Sequence, residues 1–252
     1  MAHVAHRPGS FCISVLHTRD VERAVTFYSA LLGWAVLDVP GNDHHKLLQM
    51  NGNVVAAVRQ ASDGIDEWIP YVSVADMNAT LEHAVTLGAT GGETRDADGL
   101  ARTATLRDHE GARLGLWQPA PHQGAQVMET PGSIWWIEVL SDDPSRAKHF
   151  YSALFGWTAR ETAFDPFAAY TVFERDSTQE GGILPIGKDW GVTPHWNTIF
   201  EVEDCDATLA RACELGGSTG FVHTVPKHGR IGSAIDANGA WTWFRGPVHE
   251  AR

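Results

Sequence analysis

The chain has 252 residues, 43% hydrophobic and 20% charged, which suits two globular domains of ordinary size and argues against disorder. Its net charge of −12 comes without any Lys/Arg cluster, so a nucleic-acid surface is not expected. No apolar run approaches the roughly 18 residues a membrane-spanning helix needs, so no membrane is expected either.

Residues 1–9 lack the apolar core of a secretory signal, which makes the cytoplasm the expected location. Phe11 to His17 is β-rich and runs to Asp20, a residue suited to capping a helix. Val21, Ala24, Val25, Tyr28, Leu31 and Leu32 then recur at helical spacing, and Gly33 supplies the stop. Short strands are predicted at Lys46–Met50 and Val54–Arg59. A further strand covers Ile69–Val74, a second helix follows Asp76, and a last strand covers Arg113–Gln118. The Pro/Gly-rich stretch 119–132 reads as a linker. Beyond it, Asp143-Pro144 opens a third helix, strands follow at Tyr170–Glu174, Gly181–Ile186 and Asn197–Val202, a fourth helix follows Asp204, and Trp241–Arg245 closes the series. The glycine pair Gly181-Gly182 suits a strand that bulges or packs closely. Cys12, Cys205 and Cys213 lack metal-ligand spacing and read as small packing residues in a reducing compartment.

The order repeats. Asp20, Phe27-Tyr28 and Leu32-Gly33-Trp34 match Asp143, Phe150-Tyr151 and Phe155-Gly156-Trp157 at a constant offset of 123 residues. Asp76, Asp108-x-x-Gly111 and Trp68 match Asp204, Asp236-x-x-Gly239 and Trp196 at 128. The chain is an internal duplication of four strand-helix-strand-strand-strand units.

This pattern of an aspartate-capped helix with Phe-Tyr, a Gly-Trp ending and a later Asp-x-x-Gly turn resembles the vicinal oxygen chelate superfamily. Glyoxalase I, extradiol dioxygenases and bleomycin-resistance proteins belong to it, and the resemblance extends to tandem proteins of glyoxalase-like or hydroxylase type. It implies an α+β fold in which βαβββ units form two cupped-sheet modules, over 10–118 and 133–252, separated by the linker 119–132. By analogy, two modules in one chain replace the dimer of single-module relatives, so a monomer or a homodimer is expected.

The resemblance also implies where a metal would be held: His on the first strand of each unit, Glu on the last. Those positions carry Ile13, Ala57, Ile69 and Gly115 in the first module, and Trp136, Gly182, Asn197 and Trp243 in the second. None is a His, Asp or Glu, so no metal or other cofactor is expected. The histidines His44, His45, His109, His223 and His228 fall in predicted loops and turns and read as solvated.

Strand alternation gives the residues that face each cup. His17, Tyr71 and Trp117 share the first with Ile13, Val15 and Ile69. Trp136, Glu138, Asn197, Trp241 and Trp243 share the second. A carboxylate among indoles loses solvation and becomes a candidate acid or base near neutrality, so Glu138 is the candidate catalytic residue and the other named polar and aromatic groups are candidate ligand contacts. A hydrogen-bonded structural role for Glu138 fits the same residues. No nucleophile elbow, Walker loop or dinucleotide fingerprint is present. Three readings remain open: a metal-free binder of a small aromatic or apolar metabolite, a metal-dependent lyase or oxygenase with ligands recruited elsewhere, and an interaction protein whose cups are filled.

Overall fold

The computed structural model describes residues 6–164 and 167–248, and the four α-helices among them all follow a capping aspartate. Helices α1 (Val21–Leu32), α2 (Met77–Thr86), α3 (Pro144–Phe155) and α4 (Cys205–Glu214) follow Asp20, Asp76, Asp143 and Asp204. Each carboxylate accepts the backbone N–H three residues on, at 2.9–3.1 Å. A cap of this kind is worth about 1 kcal/mol, which explains why the residue recurs four times. Helices α1 and α3 end at Gly33 and Gly156 in the left-handed region, with φ of 70° and 71°.

Strands β1 (Phe11–Thr18), β2 (Ala35–Val39), β3 (Asn42–Met50) and β4 (Asn53–Gln60) surround α1 in sequence. After them come β5 (Glu67–Ser73), β6 (Thr90–Gly91), β7 (Arg95–Asp96), β8 (Ala101–Arg107) and β9 (Arg113–Pro119). They form one sheet in the order β2-β3-β4-β1-β5-β9-β8-β6, with β7 on β8. The second half supplies β10 (Ile134–Ser141), β11 (Thr158–Phe164), β12 (Phe167–Arg175), β13 (Thr178–Pro185), β14 (His195–Glu201), β15 (Ser218–Val225), β16 (Gly229–Ile235) and β17 (Trp241–Gly246). Its order, β11-β12-β13-β10-β14-β17-β16-β15, repeats the first. Consecutive units therefore share a sheet, first with second and third with fourth, joined by the antiparallel pairs β1–β5 and β10–β14.

The sequence pattern misses β2, β6, β7, β8, β11, β15 and β16; β2 and β15 are mostly exposed and lack an apolar alternation, and β6 and β7 are only two residues long. It also misplaces several histidines. His44 and His45 lie on β3, whose tight hairpin with β2 pairs Val39 with Asn42 and leaves little loop. His45 is buried there, its Nδ1 2.7 Å from Asp98 Oδ2. His223 is on β15, and the His109 ring is buried although its backbone sits in a turn.

One face of each sheet packs into a shared core that also receives the helices. Phe11 packs against Trp157 and Trp196 with centroids 5.6 and 5.2 Å away, and Phe200 meets Trp34 and Trp68 at 5.3 and 5.1 Å. The repeat's indoles thus fill the seam between the halves. The opposite face of each sheet curls into a cup.

Candidate functional site

Neighbouring strands bring the predicted polar residues of the second cup together. Glu138 on β10 lies directly across from Asn197 on β14 and Gly182 on β13. Trp243 on β17 pairs with Ile199 next along β14, and Ile199 pairs with Trp136. A methyl group on Gly182 would collide with the Tyr170 hydroxyl, so this glycine leaves room for that phenol to reach Glu138. The phenol donates to Glu138 Oε2 at 2.7 Å and accepts from Trp136 Nε1 at 2.7 Å. The carboxyl group is only 8% exposed, and burial pushes its pKa up to about 7 against the opposing pull of the Tyr170 hydrogen bond. Its partner is the phenol of Tyr170. One oxygen of the carboxyl group is thus engaged by the phenol.

Two donors in this cup have no acceptor among the described residues. Asn197 Nδ2 and Trp243 Nε1 are both buried and both without a hydrogen-bond partner. Each costs about 1–3 kcal/mol while unpaired. Around them stand further rings that the sequence reading leaves out. Register slips between Ile134 and Trp136, and Trp135 at that bulge lies under the Arg245 guanidinium, 5.1 Å from its ring centroid. Phe221 lies 6.0 Å from Trp243. Trp241 belongs to the rim, 47% exposed. The cup face is aromatic, with a carboxyl, an amide and an indole N–H on adjacent strands.

The first cup is built otherwise. Ile13, Val15, Leu47, Ala57, Ile69 and Tyr71 close on one another as an apolar cluster. The linker seals it: Ala125 N–H donates to the Cys12 carbonyl at 2.6 Å, Gln126 N–H donates to Val54 at 2.7 Å, and Ala125 and Met128 fill the space above. Trp117, expected to contact a ligand, is 1% exposed and its N–H is satisfied by the His122 carbonyl at 3.1 Å. Only the end carrying His17 and Tyr71 stays open. Their Nε2 and hydroxyl lie 3.0 Å apart. Burial and then the Arg59, Arg113 and Arg95 guanidinium groups hold the His17 pKa well below its usual value, while burial pushes the Tyr71 phenol up to about 12.

Comparison with known proteins agrees with this architecture. The glyoxalase-like domain family matches residues 11–116. The anthracycline biosynthesis protein DauV of Streptomyces sp. (strain C5) is 32% identical over 256 residues, covering 92% of this chain and 91% of that one. The chain belongs to the glyoxalase-like family of the vicinal oxygen chelate superfamily. Within that superfamily, the Mn(II)-bound glyoxalase of Novosphingobium aromaticivorans shares the fold at a TM-score of 0.66 and 14% identity, over 100% of this chain and 85% of that one. BphC, a halotolerant catechol dioxygenase, does so at 0.64 and 15%, over 98% and 90%.

Metal-using members of the superfamily hold an ion at these places, and the side chains present here do not fit one. In the first cup the coordinating places hold Ile13, Ala57, Ile69 and Gly115, and Gly115 is packed under the Tyr71 ring. In the second they hold Trp136, Gly182, Asn197 and Trp243. Hydrocarbon and indole groups donate no lone pair to a cation, and a single amide is a weak ligand. Among the described residues, no group of three or more His, Cys, Asp or Glu is placed to hold a metal ion.

Proposed function

We propose that the second cup binds a flat aromatic metabolite through a carbonyl or hydroxyl oxygen, using protein groups alone. The observation that carries this reading is the pair of buried donors, Asn197 Nδ2 and Trp243 Nε1, without acceptors among the described residues on the face of an indole-lined cup. An oxygen atom of a bound ligand would satisfy them, recovering what each loses in the empty protein. Trp135, Trp136 and Trp243 provide the apolar faces that suit a ring system. Glu138 adds a group able to take either protonation state near neutrality. Ionised, it accepts from a ligand hydroxyl; protonated, it donates to a ligand carbonyl, and the change between them is a proton transfer. DauV is named for anthracycline biosynthesis, which is in keeping with an aromatic ligand.

The test is titration with a hydroxyanthraquinone at pH 7, followed by tryptophan fluorescence. Saturable quenching at one equivalent is expected, with Kd raised at least about tenfold, or 1.4 kcal/mol, in Asn197→Ala and in Trp243→Phe. Equal affinity in the wild type and both variants would overturn the reading. Purified protein carrying a transition metal at one equivalent per half would replace it with a metal-dependent lyase or oxygenase.

A further inference from the structure

The open end of the first cup contains a cavity of about 190 Å³. Arg59, Arg95, Arg107 and Arg113 line it, together with His17 and Tyr71, and only Asp63 and Glu93 among its lining residues are acidic. In a chain of net charge −12 this is a local surplus of positive charge. Arg113 is the buried member, its side chain 8% exposed. Its Nε bonds Glu67 at 2.6 Å and its Nη1 bonds Asp63 at 2.5 Å, which fixes the guanidinium plane. Its Nη2 is buried with no partner among the described residues. Arg59, half-buried on β4 beside His17, has no carboxylate within ion-pair distance among the described residues. The surplus is therefore one orphaned guanidinium edge plus one cation, Arg59, that meets the Tyr71 hydroxyl and feels Asp98 beyond ion-pair distance.

Comparison of the halves shows that this set is not a requirement of the fold. By the offsets of 123 and 128, His17, Tyr71 and Arg113 correspond to Leu140, Ile199 and Trp241. The pair His17 and Arg59 on β1 and β4 corresponds to Leu140 and Leu184 on β10 and β13. The same scaffold positions carry cations and hydrogen-bonding groups in one module, and hydrocarbon and indole in the other. We infer that the first module holds a small oxyanion, a carboxylate or phosphate group, between Arg59 and the free edge of Arg113. Planar guanidinium groups suit both anions, and the cavity falls below the roughly 300 Å³ at which drug-sized pockets begin. The two modules then bind chemically different ligands.

Calorimetric titration with oxalate and with inorganic phosphate, each balanced with chloride to constant ionic strength, tests this. Saturable binding of one equivalent of at least one of them is expected. Oxalate alone points to a carboxylate ligand and phosphate alone to a phosphate ester. Arg59→Gln should weaken binding at least tenfold with an unchanged urea midpoint; Arg113 is left intact because its loss strands Asp63 and Glu67. Asn197→Ala, in the other cup, should leave anion binding as it is. Failure of both anions to bind, or wild-type affinity in Arg59→Gln, would overturn the inference.

Discussion

The Tyr28 hydroxyl of α1 donates to Asp236 Oδ2, 3.0 Å away in the other half of the chain. Tyr151 of α3 returns the contact to Asp108 at 2.8 Å. Each aspartate divides its work: Asp236 Oδ1 accepts the backbone N–H groups of Asn238, Gly239 and Ala240 within its own turn, leaving Oδ2 for the tyrosine across the seam. Gly-Trp behaves likewise. Trp34 Nε1 donates to the Gly132 carbonyl and Trp157 Nε1 to the Gly9 carbonyl, both at 2.8 Å. The motifs that mark the repeat are thus the contacts that fasten one module to the other.

Removing either hydroxyl should loosen that seam unequally. Trp68 Nε1 contacts both Tyr28 and Thr242 at 3.0 Å, so Tyr28→Phe leaves it an acceptor. Trp196 Nε1 bonds only the Tyr151 hydroxyl, at 2.9 Å, and Tyr151→Phe strands it together with Asp108 Oδ2. The expected losses are about 1 kcal/mol for Tyr28→Phe and about 2–3 kcal/mol for Tyr151→Phe, read from urea midpoints at constant m. Equal losses would contradict this assignment of partners.

Glu138 should leave a signature in the pH dependence of stability. Its pKa is raised by burial from the ordinary 4.5 to about 7 in the folded protein. Between those values the folded state keeps a proton that the unfolded state has lost, so stability falls as pH rises through the window and levels off above it. Glu138→Gln cannot titrate and should remove this slope. Relative to wild type, the variant should gain up to about 3 kcal/mol between pH 4 and pH 8. Urea unfolding of both proteins across that range provides the measurement, and parallel profiles would mean that the carboxyl titrates normally.

The cluster of Trp136, Glu138, Asn197 and Trp243 was legible because strand alternation, anchored on the repeat, assigns faces without knowing the sheet order. Trp135 was not, since a bulge adds a residue and turns a side chain against the alternation. Tyr170 lay within a predicted strand, but its bond to Glu138 crosses from β12 over β13 to β10, an adjacency that no local pattern encodes. The linker's composition gave no sign that Ala125 and Met128 would roof the first cup and wall in Trp117. Arg59 and Arg113 entered the sequence reading only as strand boundaries, and no local pattern says that the sheet curls them around one cavity.

Gly182 offers a way to shift Glu138 without touching it. A Cβ there would overlap the Tyr170 hydroxyl, so Gly182→Ala should displace the phenol and break its bond to the carboxyl group. That hydrogen bond is the influence holding the Glu138 pKa down, so the pKa should move above about 7 in the variant. Overpacking should also cost about 1–3 kcal/mol of stability. Carboxyl carbon shifts in glutamate-labelled protein report the pKa directly. An unmoved titration would show that Tyr170 retains its contact by another route.

Asn197 tests whether the second cup sacrifices stability for binding. Its Nδ2 is buried without an acceptor among the described residues, a cost borne in the absence of a ligand. Leucine keeps the branched outline of asparagine, is bulkier and has no donor, so with the added bulk directed into the empty cup Asn197→Leu should raise stability by about 1 kcal/mol, a gain of roughly 2–4 °C in Tm for a chain of this size. The same change should weaken the hydroxyanthraquinone at least tenfold. A purely structural asparagine predicts the opposite pairing, with stability lost and affinity retained. Thermal unfolding with and without the quinone separates them, because only a residue kept for a ligand yields a more stable protein that the quinone no longer stabilises further.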